Sequence, residues 1–418
     1  MTQSKYTRRA FNVGAGTSIV AIPLIGGAFS ALAAGKVVKI GITAPITGAD
    51  AADAIRIKNG ALIAFDEANA AGGVAGYKIV PVIYDNSSTT TGMYDPAQAA
   101  TNTKKLIADP EVVANVGPEM SGDGKAMSPL LSRADMATIT PASTNPDITS
   151  PKFAGQFRPE GKAVYFRTVT TDAYQGPNMA NFYKVNLKTK SVYILDDSGA
   201  YGVGLANAFA AQATKIGVKV LGHDRLDPNE ADYTTALTKI KGLGPDSIYY
   251  GGVAKAGVKL AKQAYQVVPK MIKGGGDGIQ GGSFLTGAGF PAVEGWYCTI
   301  AGPHLTDDPV AAKFMKEYKS KFGNVASDYA ITSYDAAKVI IAAIEAVAKS
   351  GKAMNRGNIR DAIQNSHVKT LQGTVSFDKN GDILDRTVSV FQYHHNPKAP
   401  ADDLGAQQKY LGAAPQTS

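Results

Sequence analysis

At 418 residues the chain is too long for one ordinary hydrophobic core, and its formal charge of +8 is interspersed over 43 basic and 35 acidic residues. No basic block marks a nucleic-acid face, so that class of partner is excluded. The single cysteine, Cys298, excludes an intramolecular disulfide and any metal site built on several thiolates, and reads as a small buried apolar residue.

The first residues differ in kind from the rest. Lys5, Arg8 and Arg9 occur with no acidic residue and precede an apolar run over 19–32, broken by Pro23 and glycines and ending in Ala31-Leu32-Ala33. This pattern predicts an export signal over residues 1–34, cleaved near Ala33. Within it TRRAFN (7–12) resembles a twin-arginine signal, the alternative being an ordinary secretory leader. Either places the mature protein outside the cytoplasm, in the periplasm. Loss of the three basic residues lowers the formal charge from +8 to +5.

Beyond the leader, short apolar runs alternate with longer amphipathic ones. VVKIGIT (37–43) reads as a buried strand, NGALIAFDEANAAGG (59–73) as a helix closed by glycine, and YKIVPVIYD (77–85) as the next strand. DPAQAATNTKKLIAD (95–109) has the acidic N-cap and first-turn proline of a helix, followed by strands VVANVG (112–117) and ATITPAS (137–143). A second series begins after FRTVTTDAYQGP (166–177). It runs through SVYILDD (191–197), the helix YGVGLANAFAAQATKIG (201–217), VKVLG (218–222), a helix over 233–241, DSIYYGG (246–252), a helix over 254–266 and a short strand feeding GGGDG (274–278).

The alternation predicts an α/β chain of two doubly wound parallel-sheet lobes joined by extended hinge segments. EGWYCTIAG (294–302) is read as a strand returning to the first lobe, with helices over 309–322, 329–349 and 356–364. TVSVFQY (387–393) then crosses back, and the tail from Pro397 is expected to fray. The lobes comprise residues 36–170 with 301–387, and 171–300 with 388–418.

Enzyme signatures are thin: no G-x-S-x-G elbow, Walker loop or H-E-x-x-H occurs, and the five histidines are scattered over strand ends and loops. Polar segments instead recur at the carboxyl ends of predicted strands, where ligands bind in doubly wound sheets. They are GPEMSGDG (117–124), TPASTNPD (140–147), DDSGAYG (196–202), GGVAKAG (251–257) and GGGDG. The last sets Asp277 in a run of glycines, which reads either as a mobile surface loop or as a place where backbone and one charge come close to a ligand.

These residues resemble the branched-chain amino-acid-binding proteins of ABC importers, the type I periplasmic binding proteins. The likeness runs through KVVKIGITAPITG, NGALIAFDEANAAGGVAGYKI, ITPASTNPDIT, FRTVTTDAYQGP, ILDDSGAYGVGLA, IYYGG, SYDAAKVI and LQGTVSFDKNGD, in that order. It implies a Venus-flytrap with a three-segment hinge, an inner-membrane permease with its cytoplasmic ATPase as partner, a monomeric state, and neither cofactor nor metal. Ser121, Ala142, Ser143 and Thr144 are implied to take a ligand carboxylate, and Asp277 its ammonium. Tyr201 would cover the ligand from lobe two, and Tyr329 would line the side-chain pocket. Three positions depart from the leucine-binding pattern. Val253 replaces a tyrosine, Glu119 an apolar residue and Asp53 an aromatic, which argues for a ligand side chain that is polar or carries an amine. The same fold in a sensor, or around amides, urea or aromatic and aliphatic carboxylic acids, is the alternative function. A periplasmic enzyme is the weakest class.

Overall fold

The computed structural model describes residues 36–416, so the export signal and its cleavage point lie outside the described residues. From Val38 onward β1 (Lys36–Ala44) is almost wholly buried, as a continuous apolar run demands of a central parallel strand covered on both faces. It pairs in parallel with β2 (Tyr77–Asp85), beyond which β3 (Ser87–Ser88) and β4 (Met93–Tyr94) form a short hairpin. With β5 (Val112–Val116), β6 (Ala137–Thr140) and β7 (Tyr165–Arg167) the first sheet has the order β2-β1-β5-β6-β7, parallel throughout.

One face of this sheet packs Val38, Ile40 and Ile42 against Phe65 of helix Ala51–Ala70 and Ile340 and Ile344 of helix Asp328–Lys349. The opposite face buries Val112 against Leu106, Met127 and Leu131. The long C-terminal helix thus packs on the N-terminal sheet. Its start is fixed by Ser327, whose hydroxyl caps the Ala330 N–H (3.2 Å) and so places Tyr329 in the first turn.

The second sheet contains β8 (Ser191–Asp196), β9 (Lys219–Arg225), β10 (Ser247–Gly251), β11 (Ile272–Gly275) and β12 (Tyr297–Ile300), all parallel. After a hairpin of β13 (Val368–Thr370) and β14 (Gly373–Val375), β15 (Ser389–Tyr393) and β16 (Gln408–Ala413) extend it antiparallel, giving β16-β15-β12-β11-β10-β8-β9. Its core holds Phe209 stacked on Tyr249 at 3.7 Å on one face and Phe284 edge-on to Trp296 on the other.

Two expectations are overturned here. The segment read as returning to the first lobe is β12, which pairs with β11 and β15 in the second sheet and buries Trp296, Cys298 and Ile300 there. The tail does not fray: β16 covers β15, and the fully buried Gln407 accepts the Asn396 N–H (2.8 Å) and donates to its carbonyl (3.0 Å). Backbone pairing needs no apolar side chains, so a polar composition concealed it.

Between the sheets the chain passes after β7, after β12 and before β15. The passages are tied side by side, Thr170 N–H donating to the Ala301 carbonyl (2.8 Å) and Ser389 Oγ to the Gly302 carbonyl (2.9 Å).

A chain ending at Asn396 is expected to melt well below the full protein in thermal circular dichroism. Burial of Leu404 alone is worth about 2 kcal/mol, and the β16 pairing goes with it. An unchanged transition would show that the tail contributes nothing.

Candidate functional site

In a doubly wound sheet the ligand crevice opens outside the carboxyl ends of the strands, where successive crossovers leave in opposite directions. That point lies between β1 and β5 in the first sheet and between β8 and β10 in the second. The segments leaving these strands meet in one cleft with an empty volume of about 550 Å³. The first-sheet side contributes Asp50, Asp53, Glu119, Met120, Ser121, Ala142 and Tyr329. The other contributes Tyr201, Val253, Ala254, Asp277, Gly278, Gln280, Gly281 and Ser283.

Asp277 follows β11 in a short 3-10 turn, Asp277–Ile279, and its carboxylate is held from two directions. Tyr201, in the first turn of helix Ala200–Lys215, donates to Oδ1 (2.6 Å) and accepts the Gly278 N–H (3.0 Å). Tyr329 donates to Oδ2 (2.6 Å) and accepts the Ala301 N–H (3.2 Å). The glycine run answers to crowding as much as to the cleft. A Cβ at Gly276 would stand 2.2 Å from Leu205 and 2.4 Å from the Tyr201 hydroxyl, and one at Gly278 2.4 Å from the Gly252 carbonyl. Only glycine lets the turn sit this close under Tyr201. Burial raises the Asp277 pKa, while the hydroxyls of Tyr201 and Tyr329 pull it down.

On the opposite wall Ser121 opens helix Ser121–Arg133, and its Oγ accepts the Asn145 N–H (3.2 Å) and the Ser143 hydroxyl (3.3 Å). The Ala142 and Ser143 N–H groups donate to Thr140 Oγ1 at 3.3 and 2.9 Å, which fixes the loop after β6. The structure therefore brings Glu119, Ser121, Ala142, Tyr201, Asp277 and Tyr329 to the cleft wall. Ser143 and Thr144 are buried one layer behind it.

Two positioning residues escaped sequence reasoning. Arg167 is fully buried and donates to the Ser143 carbonyl (2.6 Å), the Asn145 carbonyl (2.7 Å) and Asp382 Oδ1 (2.8 Å), so this cation organises the loop and offers nothing to a ligand. Gln175 accepts the Asp277 N–H (3.0 Å) and the Thr299 hydroxyl (2.6 Å) on one oxygen. Both stand in FRTVTTDAYQGP, whose run of polar residues between two sheets was the available signal.

Asp53 is not a free pocket group. Its carboxylate accepts the Gly282 and Ser283 N–H groups (2.8 and 3.1 Å) and pairs with Arg56 (3.3 Å). With Asn145 Nδ2 donating to the Ala200 carbonyl (2.7 Å), these bonds hold the cleft shut. Asp50 differs: burial pushes its pKa up to about 6, partly offset by the Tyr94 N–H. Burial raises the Glu119 pKa well above its ordinary value, and Asp53, Asp50, Asp123 and Asp277 all add to the effect.

A closed cleft between two doubly wound sheets, walled by hydroxyls and carboxylates, defines a two-lobed small-molecule-binding protein. Residues 37–398 match the model of the periplasmic binding proteins, and the chain belongs to that family. A Leu/Ile/Val-binding protein of Rhizobium johnstonii is 30% identical over 85% of this chain and 91% of its own length. A leucine-binding protein of Thermotoga maritima superposes with a TM-score of 0.76 at 26% identity, over 90% of this chain and 98% of that one. The benzoate-bound solute-binding protein of an R. palustris ABC transporter shares the fold alone, with TM-score 0.73 and 19% identity over 91% and 98% of the two chains.

A carboxyl whose pKa is raised by folding opposes the fold once ionised. For Asp50 the penalty is absent below the ordinary value of 3.8 and complete above about 6. Asp50→Asn is therefore expected to stabilise the ligand-free protein at pH 7.5 by on the order of 2 to 3 kcal/mol, with the gain vanishing near pH 4. Urea melts at the two pH values check this.

Proposed function

We propose that the protein is the periplasmic substrate-binding component of an ABC importer. It captures an amino acid or a related small polar metabolite by hinge closure and passes it to a membrane permease. The leader read over residues 1–34, with its twin-arginine-like motif, carries the chain across the inner membrane. Residues 36–170 with 301–387 form one lobe and 171–300 with 388–418 the other, with the three tied passages as the hinge.

The observation that carries the reading is the buried Asp277 carboxylate, held at the cleft by tyrosines that reach it from both lobes. An ammonium delivered there completes an ion pair formed on closure and shielded from water, and contacts to both lobes favour the closed state. Ser121 and the N-terminus of its helix receive the carboxylate, because helix N-termini favour anions. The relatives named as Leu/Ile/Val-binding proteins support the amino-acid class. The charged wall at Glu119 and Asp50 argues against leucine itself.

A panel of L-amino acids is expected to contain at least one ligand that stabilises the purified protein by about 2.7 kcal/mol at a hundredfold its Kd. Asp277→Asn should weaken that ligand by about 3 kcal/mol or more, as loss of one partner from a buried pair does. Stabilisation by ammonium-free acids or amides alone, indifferent to Asp277, would remove the amino-acid assignment.

A further inference from the structure

We infer that Asp50 and Glu119 form a second cation subsite in the cleft, so that the captured molecule is an α-amino acid whose side chain ends in an ammonium or guanidinium group. The inference rests on Asp277 being the α-ammonium site.

Asp50 is 2% exposed, and its Oδ2 accepts the Tyr94 N–H (3.0 Å). Its Oδ1 is buried without a partner, as is Glu119 Oε2, and both residues line the cleft. Asp123 and Asp172 also keep one unpartnered oxygen each but do not line the cleft, and the other acidic groups at its wall are answered. Asp53 has Arg56 and two N–H groups, Asp277 has two tyrosines, and Asp197 accepts the Gly199 and Val253 N–H groups (2.9 Å each). Among the described residues no Lys, Arg or His lines the cleft. Arg56 is engaged by Asp53, and Lys255 by the Thr91 carbonyl (2.7 Å) and Asn229 Oδ1 (2.8 Å).

A buried carboxylate oxygen with no partner is costly, and one that opens on a cleft can be completed by a ligand. A cation does so for both groups at once. Burial and the neighbouring carboxyls favour the neutral form of Glu119 in an empty cleft, so a ligand cation displaces its proton, whereas Asp50, with a pKa of about 6, is already ionised at pH 7.5 and supplies the charge. Met120, Val253 and Ala254 supply an apolar wall for the methylene stem of such a side chain, whose charged end seeks the polar pole. A neutral branched side chain would leave both carboxyls buried and unanswered, the arrangement that discriminates most strongly between ligands.

Titration calorimetry on the purified protein at pH 7.5 tests this with L-lysine, L-ornithine and L-arginine against L-norleucine, which keeps the lysine stem without its ammonium, and L-glutamine. The best basic amino acid is expected to bind at least thirtyfold tighter than norleucine. Its binding should release protons, seen by repeating the titration in buffers of different ionisation enthalpy, and norleucine should release fewer. Glu119→Gln and Asp50→Asn should each shrink the lysine-to-norleucine ratio about tenfold. The proton count on the unaltered protein stands even if a variant folds poorly. Norleucine or glutamine binding as tightly as any basic amino acid, or a ratio untouched by both substitutions, would overturn the subsite and leave the amino-acid reading intact. If no α-amino acid binds, both fall together.

Discussion

The Asp277 carboxylate between two tyrosine hydroxyls is the contact on which the site depends. Tyr201 leaves β8 and Tyr329 stands on a helix packed against the other sheet, so each oxygen is held by a different half of the molecule. A buried carboxylate without such donors would take up a proton. The two hydroxyls offset part of the rise that burial causes, and the same bonds draw the halves together. Gln175 fixes the turn from below through the Asp277 N–H and ties it to Thr299 of β12. The Asp277 carboxylate, the contact between the two halves and the position of the β11 loop are therefore one problem with one solution.

The rest of the cleft is organised around an excess of carboxyl groups over cations. The buried guanidinium of Arg167 is spent on loop carbonyls and Asp382, and Lys255 reaches across to backbone and amide oxygens. Asp50 and Glu119 keep unpaired oxygens in a space they share with Asp277. Each lowers the stability of the empty protein, a familiar trade of stability for a working site. Membership of the periplasmic binding protein family accounts for the two sheets and the hinge. It does not account for this charge, which belongs to the residues of this chain.

How the cleft is held shut also follows from particular side chains. As a departure from the leucine-type pattern Asp53 pointed to a polar or amine-bearing ligand, but its acceptance of the Gly282 and Ser283 N–H groups makes it a cap reaching from one lobe to the other. Such contacts favour closure independently of the ligand. They leave the ligand to supply only the remainder of the closing free energy.

The doubly wound plan was legible because strand and helix periodicity is local, and so were the strand-end segments from which Asp277, Tyr201, Ser121 and Glu119 arise. Resemblance added Tyr329, which no local pattern would have joined to Asp277 from 52 residues away. What tertiary structure alone decided was partnership. An apolar strand such as β12 does not encode which sheet it joins, and a polar tail can still complete a ladder through its backbone. Gln175 sits 102 residues from Asp277, and Arg167 215 from Asp382. Sequence determined which residues carry charge and where strands end. Folding decided which charges are answered and which are left open to a ligand, because burial and hydrogen-bond partners are properties of packed neighbours and not of the order of residues.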